Sequence, residues 1–238
     1  MHLQKCLTFG VHIISRAIFL RFFIIWYVQN IFISDLFDLN HSLSKPYLEK
    51  YSYGWQAVPK LRTIIEELIQ TLDRDEYVEL SASVWAHKSA EIAPSASITA
   101  PCIIGAYSSI RHCAFIRGSA LIGENCVVGN STEIKNSVLF DNVQVPHFNY
   151  VGDSILGYKA HLGAGAIISN VRCDKAKILI KGEKIYQTGL KKFGALLGDG
   201  AEVGCNCVIN PGSIIKKGAT VYPLSSVCGI IGREVENG

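Results

Sequence analysis

An apolar residue recurs at every sixth position through the middle of the chain. Nine successive positions keep this spacing: Ile92, Ile98, Ile104, Ile110, Ile116, Ile122, Val128, Ile134 and Phe140. The fifth place of each hexad is small or β-branched: Ala96, Cys102, Ala114, Ala120, Cys126 and Thr132. A period of six fits neither an α-helix nor an alternating strand. It fits a coil with three short flat faces, stacked so that aliphatic side chains fill the interior and backbones pair as parallel strands.

The hexad register shifts twice along the chain. It resumes at Tyr150, Leu156, Leu162 and Ile168, and then at Leu197, Val203, Ile209, Ile215, Val221 and Val227. Between these two runs, residues 171–195 leave the pattern, and residues 177–187 read as two short strands around a Lys-Gly-Glu turn. We therefore predict a hairpin excursion, a kind of insertion that carries function more often than the coils do.

The segment before the hexads is divided into two parts. Residues 1–35 are strongly apolar between 7 and 34, but Arg16 and Arg21 interrupt them, and the longest uncharged run has 13 residues, against roughly 20 for a membrane span. Three interpretations stay open: a helix on the protein or a membrane surface, an anchor, or an extension from a misassigned start. Residues 36–83 form a lead-in with a helical pattern over 61–72, expected to pack on the first coils of a domain at 84–238.

The composition of the chain indicates which binding partners and which cellular compartment to expect. The formal net charge is only +3 and no basic run occurs, so we expect no nucleic-acid partner. The eight cysteines lack the paired spacing of a metal site and fit small thiols in a reducing cytoplasm, so we predict a cytoplasmic protein without a bound metal.

The most informative stretch joins several short motifs at fixed spacing. They are Glu133-Ile-Lys135, His147, Tyr150-Val-Gly-Asp153 and Leu162-Gly-Ala-Gly165, ending at Asn170. From roughly Ile104 to Val227 the chain resembles the acetyltransferase domain of the bifunctional uridylyltransferase/glucosamine-1-phosphate acetyltransferase, within the hexapeptide-repeat acyltransferases. The resemblance implies an all-β, left-handed parallel β-helix and a homotrimer. It also implies acetyl-CoA as co-substrate, an amino-sugar phosphate as acceptor, and a place in UDP-N-acetylglucosamine synthesis.

The resemblance also implies roles for individual residues. His147 matches the general base, because a neutral imidazole suits removal of a proton from an amine, and Glu133 matches the carboxylate that orients it. Arg117 and Lys135 match the cations on the sugar phosphate. The remaining matches line the sugar or the acetyl-CoA: Tyr150, His161 and Asn170 for the sugar, and Ala164, Cys205 and Pro223 for the cofactor. The family has Asn at the place of His161, Ser at that of Cys205, and a small residue at that of Pro223.

Other functions are alternatives to this acetyltransferase. A zinc-dependent β-helix hydratase would use His112 and His147, but Gly152 stands where its third ligand belongs. A non-catalytic prism that oligomerises or regulates a sugar nucleotidyltransferase is the main alternative, and an amino sugar attached to a nucleotide is an alternative acceptor. The Gly-rich, Arg-containing loop that opens the family's uridylyltransferase domain has no counterpart in the chain, so we do not predict that reaction.

Overall fold

The computed structural model describes residues 31–232 and the backbone of the strand Glu234–Val235. The predictions for residues 1–30 lie outside the described residues. The described chain coils around three flat parallel sheets, with each face contributing one short strand per coil. The predicted fold class, an all-β left-handed parallel β-helix, is confirmed.

Each face of the prism is one sheet. The nine-stranded face contains β1 (Tyr77–Ser81), β2 (Val84–His87), β5 (Cys102–Ile104), β8 (Ala120–Ile122), β11 (Ser137–Leu139), β14 (Ile155–Leu156), β19 (Ala195–Leu197), β22 (Ser213–Ile215) and β25 (Ile230–Ile231). The eight-stranded face contains β3 (Glu91–Ile92), β6 (Ser109–Ile110), β9 (Val127–Asn130), β12 (Gln144–His147), β15 (His161–Leu162), β20 (Glu202–Val203), β23 (Thr220–Val221) and β26 (Glu234–Val235). The seven-stranded face contains β4 (Ser97–Thr99), β7 (Phe115–Arg117), β10 (Glu133–Lys135), β13 (Tyr150–Gly152), β16 (Ile167–Ile168), β21 (Val208–Ile209) and β24 (Ser226–Val227). Only β1 runs antiparallel to its neighbour within these three sheets.

The inner column follows the hexads with two corrections. Ile104 pairs with Ile122 and then with Leu139, so the inward position comes one residue earlier than the predicted Phe140. On the seven-stranded face the inward residue is Val151, and the predicted Tyr150 points outward because it is the register partner of Glu133. The reason is two shorter corners, since five-residue steps lead from Ile134 to Leu139 and from Val151 to Leu156. Phe140 is still buried, where its ring packs on Phe37 with centroids 5.3 Å apart.

The corners of the coil rely on single residues with a left-handed backbone. Asn136 and Asp153 have φ values of 47° and 50° and stand at two of these corners. Asn and Asp tolerate this conformation better than most side chains because they can hydrogen-bond locally. Both residues also belong to the polar cluster described below, so the bend of the coil places them there.

The lead-in covers the nine-stranded face. The helical segment begins at Ile33, three residues before the predicted bound of the lead-in. It contains helices α1 (Ile33–Leu36), α2 (Lys45–Leu48), α3 (Gly54–Ala57) and α4 (Leu61–Thr71), with 3-10 turns at Leu39–His41 and Val58–Lys60. The predicted helix over 61–72 is confirmed as α4, which contacts β5 and β8. The beginning of the lead-in packs on a later coil than predicted. The backbone amide of Asp199 donates a hydrogen bond to the carbonyl of Leu36 there. The apolar side chains that point outward from this face are consequently buried.

The excursion over residues 171–195 contains the predicted hairpin. Strands β17 (Leu179–Lys181) and β18 (Ile185–Gln187) pair antiparallel around residues 182–184. Ile178 and Ile180 are fully buried, so the hairpin packs back onto the prism rather than standing free of it. Its β18 strand meets the lead-in, where the ring of Tyr186 lies edge-on to Tyr53 and Trp55.

Candidate functional site

Four of the predicted site residues lie on the outer side of the seven-stranded face. Side chains alternate along a strand, so Glu133 and Lys135 both point outward on either side of the buried Ile134. Register places Glu133 beside Tyr150, and Arg117 extends from β7, the neighbouring strand of the same sheet. The predicted acceptor residues are therefore neighbours in space although they come from successive coils.

Both cations of this face, Arg117 and Lys135, form ion pairs with carboxylates. The guanidinium Nη1 of Arg117 donates to Glu133 Oε1 at 2.7 Å, and this pair is largely exposed. Lys135 Nζ lies 3.2 and 3.3 Å from the two carboxylate oxygens of Asp153, whose side chain is almost fully buried. The hydrogen bond to Glu133 raises the pKa of Arg117, which keeps the guanidinium charged. The four groups together carry no net charge.

Asp153 organises the inner part of the site. Besides Lys135, its carboxylate accepts hydrogen bonds from the side-chain amides of Asn136, at 2.7 Å, and Asn170. A buried carboxylate is costly unless such donors surround it. Asp153 therefore fixes Lys135 and Asn170, two predicted substrate-binding residues, in one cluster.

Tyr150 and Gly152 form a matched pair. A methyl group at Gly152 would lie 2.6 Å from the Tyr150 hydroxyl and 2.9 Å from Asn170 Nδ2, so only glycine leaves room for the tyrosine to fold over the strand. Burial raises the pKa of Tyr150, helped by the negative charges of Glu133 and Asp153 and opposed by Arg117 and by a hydrogen bond from Asn170. The phenol therefore stays protonated at neutral pH, where it is able to donate a hydrogen bond.

A second group of predicted residues lies along one corner of the prism, which we name the corner column: His147, Ala164, Cys205 and Pro223. Backbone hydrogen bonds between successive coils join them, from Gly165 N to the carbonyl of His147, from Asn206 N to Ala164, and from Leu224 N to Cys205. His147 and Cys205 are exposed, and Ala164 is partly so. The column thus offers an open, narrow surface that ends at an imidazole.

The imidazole of His147 has no side-chain partner within the described residues. No hydrogen bond or ion pair involves its ring within residues 31–232. Glu133 pairs with Arg117 instead of making the predicted orienting contact with the imidazole. His147 ends β12 and Tyr150 begins β13, so the imidazole stands at the corner next to the seven-stranded face. The candidate base and the candidate acceptor residue Tyr150 therefore lie on consecutive strands of one coil.

His161 lies apart from the other predicted sugar-binding residues. It stands on the eight-stranded face, in register between Gln144 and Glu202, and its Nδ1 is 2.9 Å from Glu202 Oε2. A shallow depression there is lined by Asn142, Gln144, Lys159, His161 and Glu202. One chain alone does not bring His161 to the cluster around Tyr150.

Sequence reasoning did not assign roles to Asn136, Gly152 and Asp153. Gly152 and Asp153 were visible in the Tyr150-Val-Gly-Asp153 motif, but their function depends on contacts across coils. Asn136 carried no motif signal, and only its position at a corner brings its amide to Asp153.

The described part of the chain shows neither a metal site nor a membrane-spanning helix. No group of three or more His, Cys, Asp or Glu side chains there is arranged to hold a metal ion. Among the described residues, no helix combines the length and apolar character needed to cross a bilayer.

Comparison with known proteins gives matches over part of the chain. Residues 100–189 match the family model described as the GMPPB C-terminal domain. The bifunctional protein GlmU of Methanococcus maripaludis strain C5 is 40% identical over 101 residues, covering 42% of this chain and 24% of that protein. A bifunctional sugar-1-phosphate nucleotidylyltransferase/acetyltransferase of Sulfurisphaera tokodaii is 36% identical over 112 residues, covering 46% of this chain and 28% of that protein. The chain thus spans only about a quarter of the length of these relatives.

Solved structures give weaker matches. A hexapeptide transferase family protein from Anaplasma phagocytophilum aligns with a TM-score of 0.34 and 21% identity, covering 61% of this chain and 73% of that one. The acetyltransferase domain of PglB from Neisseria gonorrhoeae, in complex with acetyl coenzyme A, aligns with a TM-score of 0.33 and 15% identity, covering 66% and 62%. The sequence matches confirm the resemblance predicted from the motifs: the chain resembles the acetyltransferase domain of the bifunctional GlmU proteins, among the hexapeptide-repeat acyltransferases.

Proposed function

We propose that this chain is an acetyl-CoA-dependent N-acetyltransferase whose acceptor is an amino-sugar phosphate such as glucosamine-1-phosphate. Its product would serve synthesis of UDP-N-acetylglucosamine or a related nucleotide sugar. The observation that carries the proposal is the position of His147 at a corner of the prism. It ends β12 in the corner column, three residues before Tyr150 begins β13 of the seven-stranded face, where Arg117 and Lys135 lie on neighbouring strands.

The chemistry assigns one step to each surface. The amine nitrogen attacks the thioester carbonyl, the carbon–sulfur bond breaks, and CoA leaves as a thiolate that takes up a proton. His147 accepts the proton that the amine loses, a task for which an exposed imidazole without a side-chain partner is free. Ala164 presents little side-chain bulk beside His147, which suits a thioester lying close to the backbone.

The acceptor's phosphate is assigned to Arg117 and Lys135. Lys135 is fixed by the buried Asp153, whereas the pair of Arg117 with Glu133 is exposed. Exposed ion pairs contribute little to stability, so a dianionic phosphate can replace Glu133 at the guanidinium at low cost. Glu133 would then be released next to Tyr150 and available to the imidazole.

We further propose a homotrimer with a site between adjacent chains. The lead-in covers the nine-stranded face, so the eight-stranded and seven-stranded faces and the corner with His147 are left for neighbours. A prism offers shallow surfaces alone, and a cleft between two prisms supplies the depth that a ligand site needs. In such an assembly His161 from the eight-stranded face of one chain can complete the site of another.

The test is release of CoA from acetyl-CoA in the presence of glucosamine-1-phosphate. We expect turnover in the wild type and its loss by about 100-fold or more in His147→Gln, the range attributed to a general base. The matched control is His112→Gln, which should keep wild-type turnover. His112 is also an exposed histidine, and its backbone carbonyl accepts a hydrogen bond from the side-chain amide of Asn130 on the next coil. Equal turnover of the two variants would remove His147 from the mechanism.

A non-catalytic oligomerisation or regulatory module is the second candidate. It is favoured by the match of residues 100–189 to the GMPPB C-terminal domain and by the carboxylates that already occupy Arg117 and Lys135. Absence of turnover across a panel of amino sugars, phosphorylated and nucleotide-linked, combined with absence of acetyl-CoA binding would favour this candidate.

A further inference from the structure

Asn149 is a buried amide two residues after His147, outside both the ion pairs of the seven-stranded face and the corner column. Its side chain is almost fully enclosed, with 2% of the residue exposed. The strand register gives smaller side chains to the same place in the other coils: Ala114, Thr132, Ala166, Cys207 and Ser225. Burial of an amide is costly unless the amide is hydrogen-bonded, so the partners of Asn149 indicate what it adds at this place.

The carboxamide of Asn149 bonds to two successive turns of the chain. Its Oδ1 accepts a hydrogen bond from the backbone amide of His147 at 3.1 Å. Its Nδ2 donates to the backbone carbonyls of Gly163, at 2.8 Å, and Ala166, at 3.2 Å. Only the NH2 group can donate to carbonyls, so these contacts fix the orientation of the amide. One side chain therefore ties the turn that carries His147 to the turn that carries Ala164 on the next coil.

The turn that carries His147 is closed by this side chain rather than by the backbone. In the preceding coil, the backbone amide of Thr132 closes the equivalent turn by donating to the carbonyl of Gly129 at 3.3 Å. The backbone amide of Asn149 donates instead to Thr132 Oγ1, also at 3.3 Å. The bond from the His147 amide to Asn149 Oδ1 takes the place of the missing closure, so the conformation of this turn depends on the asparagine side chain.

We propose that Asn149 is a positioning residue for acyl transfer, which holds the imidazole of His147 in place relative to Ala164. The inference rests on the proposed function, in which His147 is the base and Ala164 lies beside the thioester. The carbonyl of His147 also accepts a hydrogen bond from the backbone amide of Gly165 at 3.0 Å, so both polar groups of its backbone are held against the coil with Ala164. A misplacement of about 1 Å between reacting groups costs about 100-fold in rate, which is the reason to fix this turn.

The first test replaces Asn149 by alanine in the full chain. Alanine fits the fold at this place, since Ala114 and Ala166 occupy it in other coils. In the CoA-release assay, we expect the kcat of Asn149→Ala to fall about 10- to 100-fold, because the base is no longer held in position. The KM for the acceptor should stay within about 2-fold, since Arg117 and Lys135 are untouched. A raised acceptor KM at unchanged kcat would overturn the proposal.

Ser108→Ala is the matched control for the loss of a buried hydrogen bond between coils. Ser108 is fully buried at a different corner of the prism, and its Oγ donates to the carbonyl of Gly123 on the next coil at 2.7 Å. Both variants should lower the melting temperature, because each removes a buried bond. Only Asn149→Ala should lower kcat, so equal losses of kcat in the two variants would overturn the proposal.

Hydrogen–deuterium exchange measures the contact without turnover. With fragmentation to single amides, we expect the backbone amide of His147 to exchange about 10-fold or more faster in Asn149→Ala than in the wild type, because it has lost its acceptor, and at the wild-type rate in Ser108→Ala. Unchanged exchange at His147 in Asn149→Ala would overturn the role of Asn149, even where the wild type turns over. Faster exchange in the variant, with no turnover in the wild type, would overturn the proposed function and leave the contact of Asn149 with the turn standing.

Discussion

Replacement of Asp153 by Asn changes one atom and tests whether the polar cluster holds the site together. Each carboxylate oxygen accepts from a different amide, Oδ1 from Asn136 and Oδ2 from Asn170, and both lie near Lys135 Nζ. An asparagine at this place has only one accepting oxygen. Whichever way it is turned, its NH2 group faces the NH2 group of Asn136 or of Asn170.

The cost follows from these contacts. The bond to Lys135 loses its charge assistance, which costs about 1.5–3 kcal/mol, and one amide donor is left without an acceptor, which costs about 1–3 kcal/mol. Because these terms overlap, we expect a loss of about 3–5 kcal/mol, the range for breaking a buried ion pair. The side chain of Asp153 is only 6% exposed, so water compensates little.

The assay is urea unfolding followed by circular dichroism at one fixed protein concentration. Glu66→Gln is the control, because it removes the exposed helical pair of Glu66 with Arg62 at 3.0 Å and should cost about 0.5 kcal/mol or less. A loss for Asp153→Asn no larger than that of Glu66→Gln would refute the account of the cluster.

Three further predictions concern single residues. Gly152→Ala should displace Tyr150 and lower kcat/KM about 10-fold or more. It should also lower the melting temperature, because the methyl group would press on Asn170 of the Asp153 cluster. Gly232→Ala, with open space around it, should leave both quantities unchanged. Burial raises the pKa of Cys126 to about 12 from 9.0. The contribution of this thiol to stability is therefore complete below pH 9 and declines as the pH rises towards 12. In Cys126→Ser, the midpoint of urea unfolding should fall less between pH 9 and pH 12 than it does in the wild type. His161→Asn should raise the acceptor KM with kcat within about 2-fold, as steady-state kinetics would show.

The sequence predicts the coil and its core because a period of six has few structural solutions. It places Phe140 and Tyr150 wrongly because two corners are shorter by one residue. An apolar or aromatic residue stands at the predicted inward position as well as at the actual one, so the sequence does not reveal the shift. It also leaves open which face the lead-in covers. A signal for this existed: the outward positions of the nine-stranded face are apolar in one coil after another, as at Ile103, Leu121 and Val138, and these side chains are buried.

The sequence predicts which residues form the candidate site, but not which cation bonds to which carboxylate. Resemblance identifies Arg117, Glu133 and Lys135 as a group, and the coil spacing makes them neighbours. Which cation meets which carboxylate depends on side-chain reach across coils, and Lys135 turns to Asp153 rather than to Glu133. The role of His161 stays a prediction, because within one chain His161 lies on a different face of the prism from Tyr150.

The central claim is that acetyl-CoA binds along the corner column beside His147, and Cys205 reports on it directly. Cys205 is exposed in this column, while Cys113 and Cys173 are exposed elsewhere. Alkylation of each thiol by iodoacetamide, followed by peptide mass spectrometry, measures their accessibility with and without acetyl-CoA, which has no free thiol of its own. We predict that acetyl-CoA slows alkylation of Cys205 and leaves Cys113 and Cys173 unchanged. Unchanged alkylation of Cys205 at saturating acetyl-CoA would contradict the claim.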